Sequence, residues 1–294
     1  MKRFDGKVAV VTGAASGIGR ALALELAQRG AQLAISDLDA TGLAATVVGC
    51  ETAGAQVLAT ALDVTDRDAM FAYADEVASH FGSVNLVINN AGVALAAKAT
   101  GQTMDDLDFV MGVDWWGVAH GTQAFLPKLV ASGDGALVNI SSIFGMIAVP
   151  GQSGYNAAKF AVRGYTESIA QEALMDGLPV SVHCVHPGGI RTNIARNART
   201  TAEFDGLTAL FDTIARTSPE ACARVILKGV TGGKRRILVG TDAKVLHLLQ
   251  QSMGVRGLDL IRFGMTRLQQ QAHKRAPTVV ATPDSEDARE PVTR

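Results

Sequence analysis

The sequence contains only three cysteines among 294 residues, and its formal net charge is −1. Cys50, Cys184 and Cys222 are few, odd in number and far apart, so no disulfide framework is expected and a reducing compartment fits best. A charge so close to zero gives no electrostatic basis for nucleic acid as the main partner. We therefore expect a cytoplasmic protein that does not bind nucleic acid.

Long hydrophobic runs are absent as well. The chain has no run of about 18 apolar residues, the length that would predict a membrane-spanning helix. The stretch MKRFDGKVAVVTG is short and is soon interrupted by Asp5 and Gly6, so it does not resemble a signal peptide. Hydrophobic residues nevertheless make up 48% of the chain, which is enough for a large buried core.

Short β-branched runs alternate with longer helical patterns over residues 1–240. Strands are predicted at 7–12, 31–37, 56–63, 84–90, 135–141, 179–186 and 235–240, and helices at 17–29, 39–53, 66–81, 103–131, 153–177 and 218–230. The predicted strands are nearly continuous apolar runs, as expected for parallel strands covered on both faces. The alternation predicts an α/β fold, a Rossmann-type, doubly wound parallel sheet of seven strands with helices on both faces.

Two segments lie outside this alternation. Residues 241–274 are predicted to form a helical, apolar and basic C-terminal extension. We expect its apolar side chains to pack on the domain of residues 1–240, on a partner subunit or on residues 193–217, and contact with a membrane surface is the less favoured alternative. Residues 275–294 are polar and contain proline, which predicts a disordered tail.

A glycine-rich turn connects the first predicted strand to the first predicted helix. Gly13, Gly17 and Gly19 stand in the spacing G-x-x-x-G-x-G. Without a Cβ, the backbone of such a turn can approach a pyrophosphate at the helix N-terminus. Glycine clusters also occur in plain turns, so this pattern needs a second observation beside it.

An acid supplies that observation. Asp37 ends the next predicted strand, where a carboxylate can bind a ribose 2′-hydroxyl and would repel a 2′-phosphate. No arginine or lysine stands at 14–16 or 36–40 to receive a phosphate, so NAD is favoured over NADP. The alternative is a helix N-cap, a role that Asp39 can fill while Asp37 binds the ribose.

Tyr155 and Lys159 stand four residues apart in SGYNAAKF, so they share one face of a predicted helix. A phenol beside an ammonium can act as an acid or base, because a close cation lowers the tyrosine pKa from about 10 by roughly 1–3 units. Ser142 ends the strand VNISS, and its hydroxyl could polarise a carbonyl at the same place. Taken alone, a Tyr-x-x-x-Lys pair is an ordinary surface pattern.

The combination of five sequence motifs is more specific than the Tyr-x-x-x-Lys pair alone. The motifs, in chain order, are TGAASGIG (12–19), NNAG (89–92), Ser142, YNAAK (155–159) and HPGGIRT (186–192). In order and spacing they resemble the short-chain dehydrogenase/reductase family, in its compact single-domain branch, over about residues 5–240. The resemblance implies reversible hydride transfer between NAD and a secondary alcohol or ketone, with Tyr155 as the general acid/base. It also implies that Ser142 orients the substrate oxygen and that Lys159 binds the nicotinamide ribose and lowers the tyrosine pKa.

The same resemblance implies a set of cofactor contacts. The glycine turn would cradle the pyrophosphate, the acid after the second strand would hold the adenosine ribose, and the HPGGIRT segment would hold the nicotinamide carboxamide. The implied cofactor-binding residues are Gly13, Ser16, Gly17, Ile18, Gly19, Asp37, Asp63, Val64, Asn90, Ala91, Gly92, Tyr155, Lys159, Pro187, Gly188, Ile190 and Thr192.

Residues 193–217 resemble the family's substrate lid. Phe204, Leu207, Leu210, Phe211 and Ile214 stand there at helix-like spacing, and an apolar lid implies an apolar substrate, although the same pattern suits a core helix. Two other functions stay open, an NADP-dependent carbonyl reductase and a nucleotide-binding protein with weak catalysis. The family resemblance also implies a homo-oligomer, a dimer or tetramer.

A metal site is not expected. His183, Cys184 and His186 lie close together in the strand VHCVH, but successive strand residues face opposite sides, so the two histidines should diverge.

Asp114 is the departure from the family pattern, which keeps an asparagine at this position. In the family the asparagine's main-chain carbonyl holds a water on the lysine, and a backbone carbonyl does not depend on the side chain. An ionised carboxylate within about 4–6 Å of Lys159 would offset the effect of the lysine on Tyr155. We expect an active enzyme in which Asp114 is either protonated or turned away from Lys159.

Overall fold

The computed structural model describes residues 1–200, 215–260, 262–264 and 267. Nine strands are found in these ranges: β1 (Val8–Thr12), β2 (Gln32–Asp37), β3 (Val57–Ala61), β4 (Leu86–Asn89), β5 (Leu95–Ala96), β6 (Gly135–Ile140), β7 (Val180–Pro187), β8 (Arg199–Thr200) and β9 (Arg236–Val239). Seven of them form one parallel sheet in the order β3-β2-β1-β4-β6-β7-β9, and β5 pairs with β8 in a separate small sheet. The predicted seven-stranded, doubly wound sheet is confirmed.

Helices cover both faces of the sheet. Within the described residues, the α-helices include α1 (Gly17–Gln28), α2 (Ala40–Thr52), α3 (Arg67–Phe81), α4 (Met104–Met111), α5 (Gly117–Ala131), α6 (Ser153–Met175), α7 (Pro219–Thr231) and α8 (Thr241–Met253). A π-helical turn (Gly112–Trp116) joins α4 to α5, and a short 3₁₀ helix (Ile143–Gly145) follows β6.

Each face of the sheet has its own buried cluster, because neighbouring residues of a strand point to opposite sides. In β1, Val11 belongs to the cluster that contains α1 and α7, whereas Val10 belongs to the cluster that contains α3, α5 and α6. Both valines are fully buried. This double burial explains why the strands are continuous apolar runs and not alternating ones.

The strand order creates a crevice at the carboxyl edge of the sheet, between the loops that follow β1 and β4. The chain proceeds from β1 outward through β2 and β3, and then returns to the other side of β1 with β4. At such a switch point the loops after neighbouring strands diverge and leave a crevice at the carboxyl edge of the sheet. The loops that follow β1 and β4 carry the glycine turn and the NNAG motif.

The predicted helix at 103–131 is interrupted in the structure. The π-helical turn at 112–116 separates α4 from α5; Gly112 is its first residue, and Gly117 follows it. A helix-like hydrophobic pattern continues through such a turn, so periodicity did not predict it. The pair β5–β8 was missed as well, because strands of two residues are too short to show a pattern.

The C-terminal extension begins at α8 and packs partly on the domain. Ala243 is fully buried, and Leu246 packs beside it against a small cluster with Ile143 and Ile147. Val245 and Leu248, on the same helix, are exposed. The domain boundary at residue 240 stays a prediction. Residues 201–214 of the predicted lid (193–217) and the predicted tail 275–294 lie outside the described residues.

Within the part of the chain that the structure describes, no helix is both long and apolar enough to cross a membrane.

Candidate active site

The glycine turn sits tightly against the loop after β4. Gly13 has a φ of +67°, and a Cβ at this position would lie 2.7 Å from the Ala91 Cα. A Cβ at Gly19 would overlap the Gly13 carbonyl oxygen. The Asn90 side-chain amide donates to the Thr12 carbonyl at 2.9 Å and to the Gly13 carbonyl at 3.2 Å. These two hydrogen bonds from Asn90 hold the glycine turn against the loop after β4.

The first turn of α1 faces the crevice without a side-chain cap. Ser16 is the N-cap residue, and among the described residues its side chain makes no capping hydrogen bond. The N–H groups of the first turn and the helix dipole are then available to an anion. Gly17, with a φ of +53°, has no side chain that would cover the backbone of this turn.

Asp37 connects the end of β2 to the glycine turn. Its Oδ2 accepts a hydrogen bond from the Ala15 N–H at 2.8 Å, and its Oδ1 accepts one from the Asp39 N–H at 2.9 Å. Asp39, not Asp37, caps α2, since its Oδ1 accepts from the Gly42 N–H at 2.9 Å. The two acids thus have separate positions, as expected.

Asp63 and Val64 follow β3 at the same edge. Asp63 is exposed, and its Oδ1 accepts from both the N–H and the hydroxyl of Thr65 at 2.8 Å. Val64 is buried against Gly117, where a Cβ would approach the Val64 side chain. This packing places the β3 loop against the start of α5.

The structure brings Ser142, Tyr155 and Lys159 together. Ser142 stands just after β6, and Tyr155 and Lys159 are one turn apart on α6. The Lys159 Nζ lies 5.6 Å from the centre of the Tyr155 ring, and the Ser142 hydroxyl works to lower the pKa of Tyr155. The buried Lys159 Nζ also donates to the Ile140 carbonyl at 3.4 Å. This part of the predicted constellation therefore has the proximity that joint chemistry requires.

Asp114 faces the same lysine. Its side chain is fully buried, with Oδ2 3.3 Å from the Lys159 Nζ and Oδ1 accepting from the Val93 N–H at 2.8 Å. Gly92 adjoins the pair, since a Cβ there would lie 3.1 Å from the Asp114 Oδ1. The alternative that Asp114 turns away from Lys159 is wrong, because Oδ2 lies 3.3 Å from the Lys159 Nζ and the Val93 N–H holds Oδ1. The alternative that Asp114 is protonated stays a prediction.

The charges of this group act on one another. Burial raises the pKa of Tyr155, and although Lys159 works against that rise, Asp114 adds to it. Burial also raises the pKa of Asp114, while Lys159 works to lower it. For Lys159, burial works to lower the pKa, but Asp114 and Tyr155 raise it above the ordinary value. Lys159 is therefore an ammonium and Tyr155 a neutral phenol at neutral pH.

The segment after β7 completes the carboxyl edge. The Gly188 N–H donates to the Val239 carbonyl, and the Arg191 N–H donates to the Thr217 carbonyl, both at 2.9 Å. Thr192 reaches the glycine turn, because its Cγ2 would lie 3.1 Å from a Cβ at Gly17. Thr192 therefore lies beside the glycine turn. Pro187 and Ile190 are buried within this segment.

The two histidines of β7 bind different partners. His186 Nδ1 lies 2.9 Å from the Ser142 carbonyl, and His183 Nδ1 lies 2.7 Å from the Lys234 carbonyl. A carbonyl only accepts, so both histidines carry a proton on Nδ1. The described residues contain no cluster of three or more metal-binding side chains.

The sequence alone did not indicate one acid at this edge. Asp242, in the first turn of α8, accepts a hydrogen bond from the Gly189 N–H at 2.6 Å. An acid just after a strand-ending glycine was the available signal, but it also suits an ordinary helix start.

Comparison with known proteins identifies the family. The profile of the family described as short chain dehydrogenase matches residues 7–203. The chain belongs to the short-chain dehydrogenase family. SadH of Mycobacterium tuberculosis is 51% identical to this short-chain dehydrogenase over 270 residues, which cover 91% of this chain and 98% of SadH. The 3-oxoacyl-acyl-carrier-protein reductase FabG of Thermotoga maritima is 34% identical over 226 residues, 76% of this chain and 90% of FabG.

A solved structure supports the same conclusion. The short-chain dehydrogenase/reductase of Burkholderia phymatum, crystallised in complex with NAD, matches this short-chain dehydrogenase with a TM-score of 0.81 and 30% identity. The match covers 89% of this chain and 97% of that chain. The family and fold implied by the sequence motifs are therefore confirmed.

The position of Asp114 gives a testable prediction. Asp114→Asn keeps an oxygen for the Val93 N–H but removes a charge that raises the pKa of Tyr155. If Tyr155 acts as the general base in alcohol oxidation, as the family resemblance implies, the pH profile of the variant should move to lower pH by about one unit, with activity at least equal to that of the wild type.

The measurement is kcat against pH with a secondary alcohol found by screening, with thermal unfolding as the check that the variant is folded. A loss of activity of tenfold or more in a folded variant would show that the carboxylate itself is required.

Proposed function

We propose that this protein is an NAD-dependent dehydrogenase that transfers hydride between NAD and an apolar secondary alcohol or ketone. The observation that carries the proposal is the meeting of Ser142, Tyr155 and Lys159 at the carboxyl edge of the sheet. The glycine turn lies at the same edge of the sheet. A dinucleotide bound along this edge would extend from the glycine turn to these three side chains.

The residues present fit such a cofactor. The uncapped first turn of α1 would hold the pyrophosphate, Asp37 the adenosine ribose, and Asp63 and Val64 the adenine. Residues 90–92 would line the middle of the cofactor, and residues 187–192 would hold the nicotinamide carboxamide. Bound NAD would supply the site that accepts or donates the hydride.

Asp37 favours NAD over NADP. Both of its oxygens are held by backbone N–H groups, which fixes the carboxylate beside the glycine turn. A 2′-phosphate there would face a fixed negative charge, and positions 14–16 and 36–40 contain no arginine or lysine to offset it. The NAD complex of the Burkholderia relative is in line with this choice. The NADP-dependent carbonyl reductase remains the alternative.

Proton transfer falls to Tyr155. As a neutral phenol it donates its proton to the oxygen of a ketone during reduction, and as a phenolate it accepts the proton of an alcohol during oxidation. Ser142 holds the substrate oxygen by a hydrogen bond, and the Lys159 ammonium stabilises the phenolate. The raised pKa of Tyr155 keeps the phenol protonated at neutral pH, which is the form that donates a proton during ketone reduction.

A second candidate rests on Asp114. The buried carboxylate 3.3 Å from Lys159 works against formation of the phenolate. If that effect dominated, the protein would bind the nucleotide and catalyse only weakly. The homo-oligomeric state and cytoplasmic location remain predictions from the sequence.

The cofactor preference is the first test of this proposal. Because a fixed carboxylate facing a phosphate opposes binding by at least about 1.4 kcal/mol, kcat/KM should favour NAD⁺ over NADP⁺ by about tenfold or more. Asp37→Asn should reduce the ratio of kcat/KM with NAD⁺ to kcat/KM with NADP⁺. Asp39→Asn is the matched control, because asparagine also caps helices and the ratio should stay unchanged. Equal efficiency of the wild type with both cofactors would contradict the assignment.

The role of Tyr155 is the second test. Tyr155→Phe removes only the phenolic oxygen, so turnover should be abolished while the Kd for NADH, measured by fluorescence, stays nearly unchanged. Tyr165→Phe on the same helix is the control, since its hydroxyl contacts Gln123 and lies outside the proposed chemistry. If Tyr155→Phe kept most of the activity, another group would have to be the acid/base.

A further inference from the structure

The loop of residues 187–192 is held from outside by the C-terminal extension. The Gly189 N–H donates to the Asp242 Oδ2 at 2.6 Å, a contact between residues 53 positions apart in the chain. Gly189 is buried, and Asp242 is partly buried in the first turn of α8. A hydrogen bond to an ionised carboxylate is about twice as strong as one between neutral groups.

Two glycines leave room for this carboxylate. A Cβ at Gly188 would lie within 2.5 Å of the Asp242 Cγ, and a Cβ at Gly240 would overlap the Asp242 Oδ1. Gly240 also has a φ of +100°, a conformation that other residues rarely adopt. The backbone on both sides is therefore shaped around the Asp242 side chain.

The Gly189 N–H donates to a side chain, whereas the neighbouring N–H groups of the loop donate to the main chain. Gly188 and Arg191 donate to main-chain carbonyls, and the Gly189 carbonyl accepts from the Thr217 N–H at 3.3 Å. These contacts join the loop to β9 and to the residues before α7. The Asp242 carboxylate joins it to α8, which would otherwise meet the domain chiefly through Ala243 and Leu246.

We propose that Asp242 is a positioning residue through which α8 fixes the 187–192 loop, so that the C-terminal extension is part of the cofactor site. The inference rests on the proposed function, in which this loop holds the nicotinamide end of NAD. Asp242 acts through the Gly189 backbone and not by contact with the substrate.

The direct test is hydrogen–deuterium exchange at the Gly189 amide in the protein without cofactor. Asp242→Ala should speed this exchange by about tenfold or more, because a hydrogen bond to a charged group is lost. Asp242→Asn keeps an acceptor oxygen and should restore most of the protection. Asp259→Ala is the matched control, an exposed acid of the same extension paired with Arg262, and should leave Gly189 unchanged.

A second variant leaves Asp242 intact. Gly188→Ala places a Cβ against the carboxylate, so it should speed exchange at Gly189 in the wild-type background and add little to Asp242→Ala. If Asp242 only stabilised the start of α8, then Asp242→Ala would speed exchange within 243–253 and not at Gly189. That result would overturn the positioning role.

The cofactor readout is the Kd for NADH, which should rise about threefold or more in Asp242→Ala and stay unchanged in Asp259→Ala. Faster exchange at Gly189 without weaker NADH binding would overturn the claim that the extension is part of the cofactor site. A wild-type protein that bound no NADH would instead overturn the proposed function, while the exchange result would still decide whether Asp242 holds the loop.

Discussion

A buried ammonium has to be surrounded by groups that compensate for its lost hydration. Lys159 is 3% exposed, and its partners come from three different elements. The Ile140 carbonyl lies at the end of β6, Tyr155 lies one turn before Lys159 on α6, and Asp114 belongs to the π-helical turn. The mutual positions of these elements are therefore tied to a single charge.

Three carboxylates fix the loops around that centre in the same way. Asp37 holds the Ala15 N–H at 2.8 Å, Asp114 holds the Val93 N–H at 2.8 Å, and Asp242 holds the Gly189 N–H at 2.6 Å. Each carboxylate connects one loop of the carboxyl edge to a different element. Charge-assisted hydrogen bonds of this kind restrain irregular backbone that has no ladder partner. The crevice is thereby preorganised before any ligand enters it.

The sequence predicted what depends on local pattern. Doubly buried strands such as β1 read as continuous apolar runs, and the spacing of Tyr155 and Lys159 placed both on one helix face. It did not predict contacts between distant segments. Asp114 faces Lys159 because a π-helical turn directs it inward, and helix periodicity does not reveal such a turn. Asp242 lies beside Gly189 because β9 pairs with β7, and its one signal in the sequence, an acid just after a strand-ending glycine, also suits an ordinary helix start.

The central claim is that Asp114 keeps the buried Lys159 charged. A ¹³C NMR titration of the lysine Cε signals tests it most directly, with the Lys159 signal assigned by its absence in Lys159→Met. We expect Lys159 to remain protonated beyond the ordinary lysine pKa, while exposed lysines titrate in their usual range. A Lys159 that lost its proton near neutral pH would contradict the account, because burial would then outweigh the partners found around it.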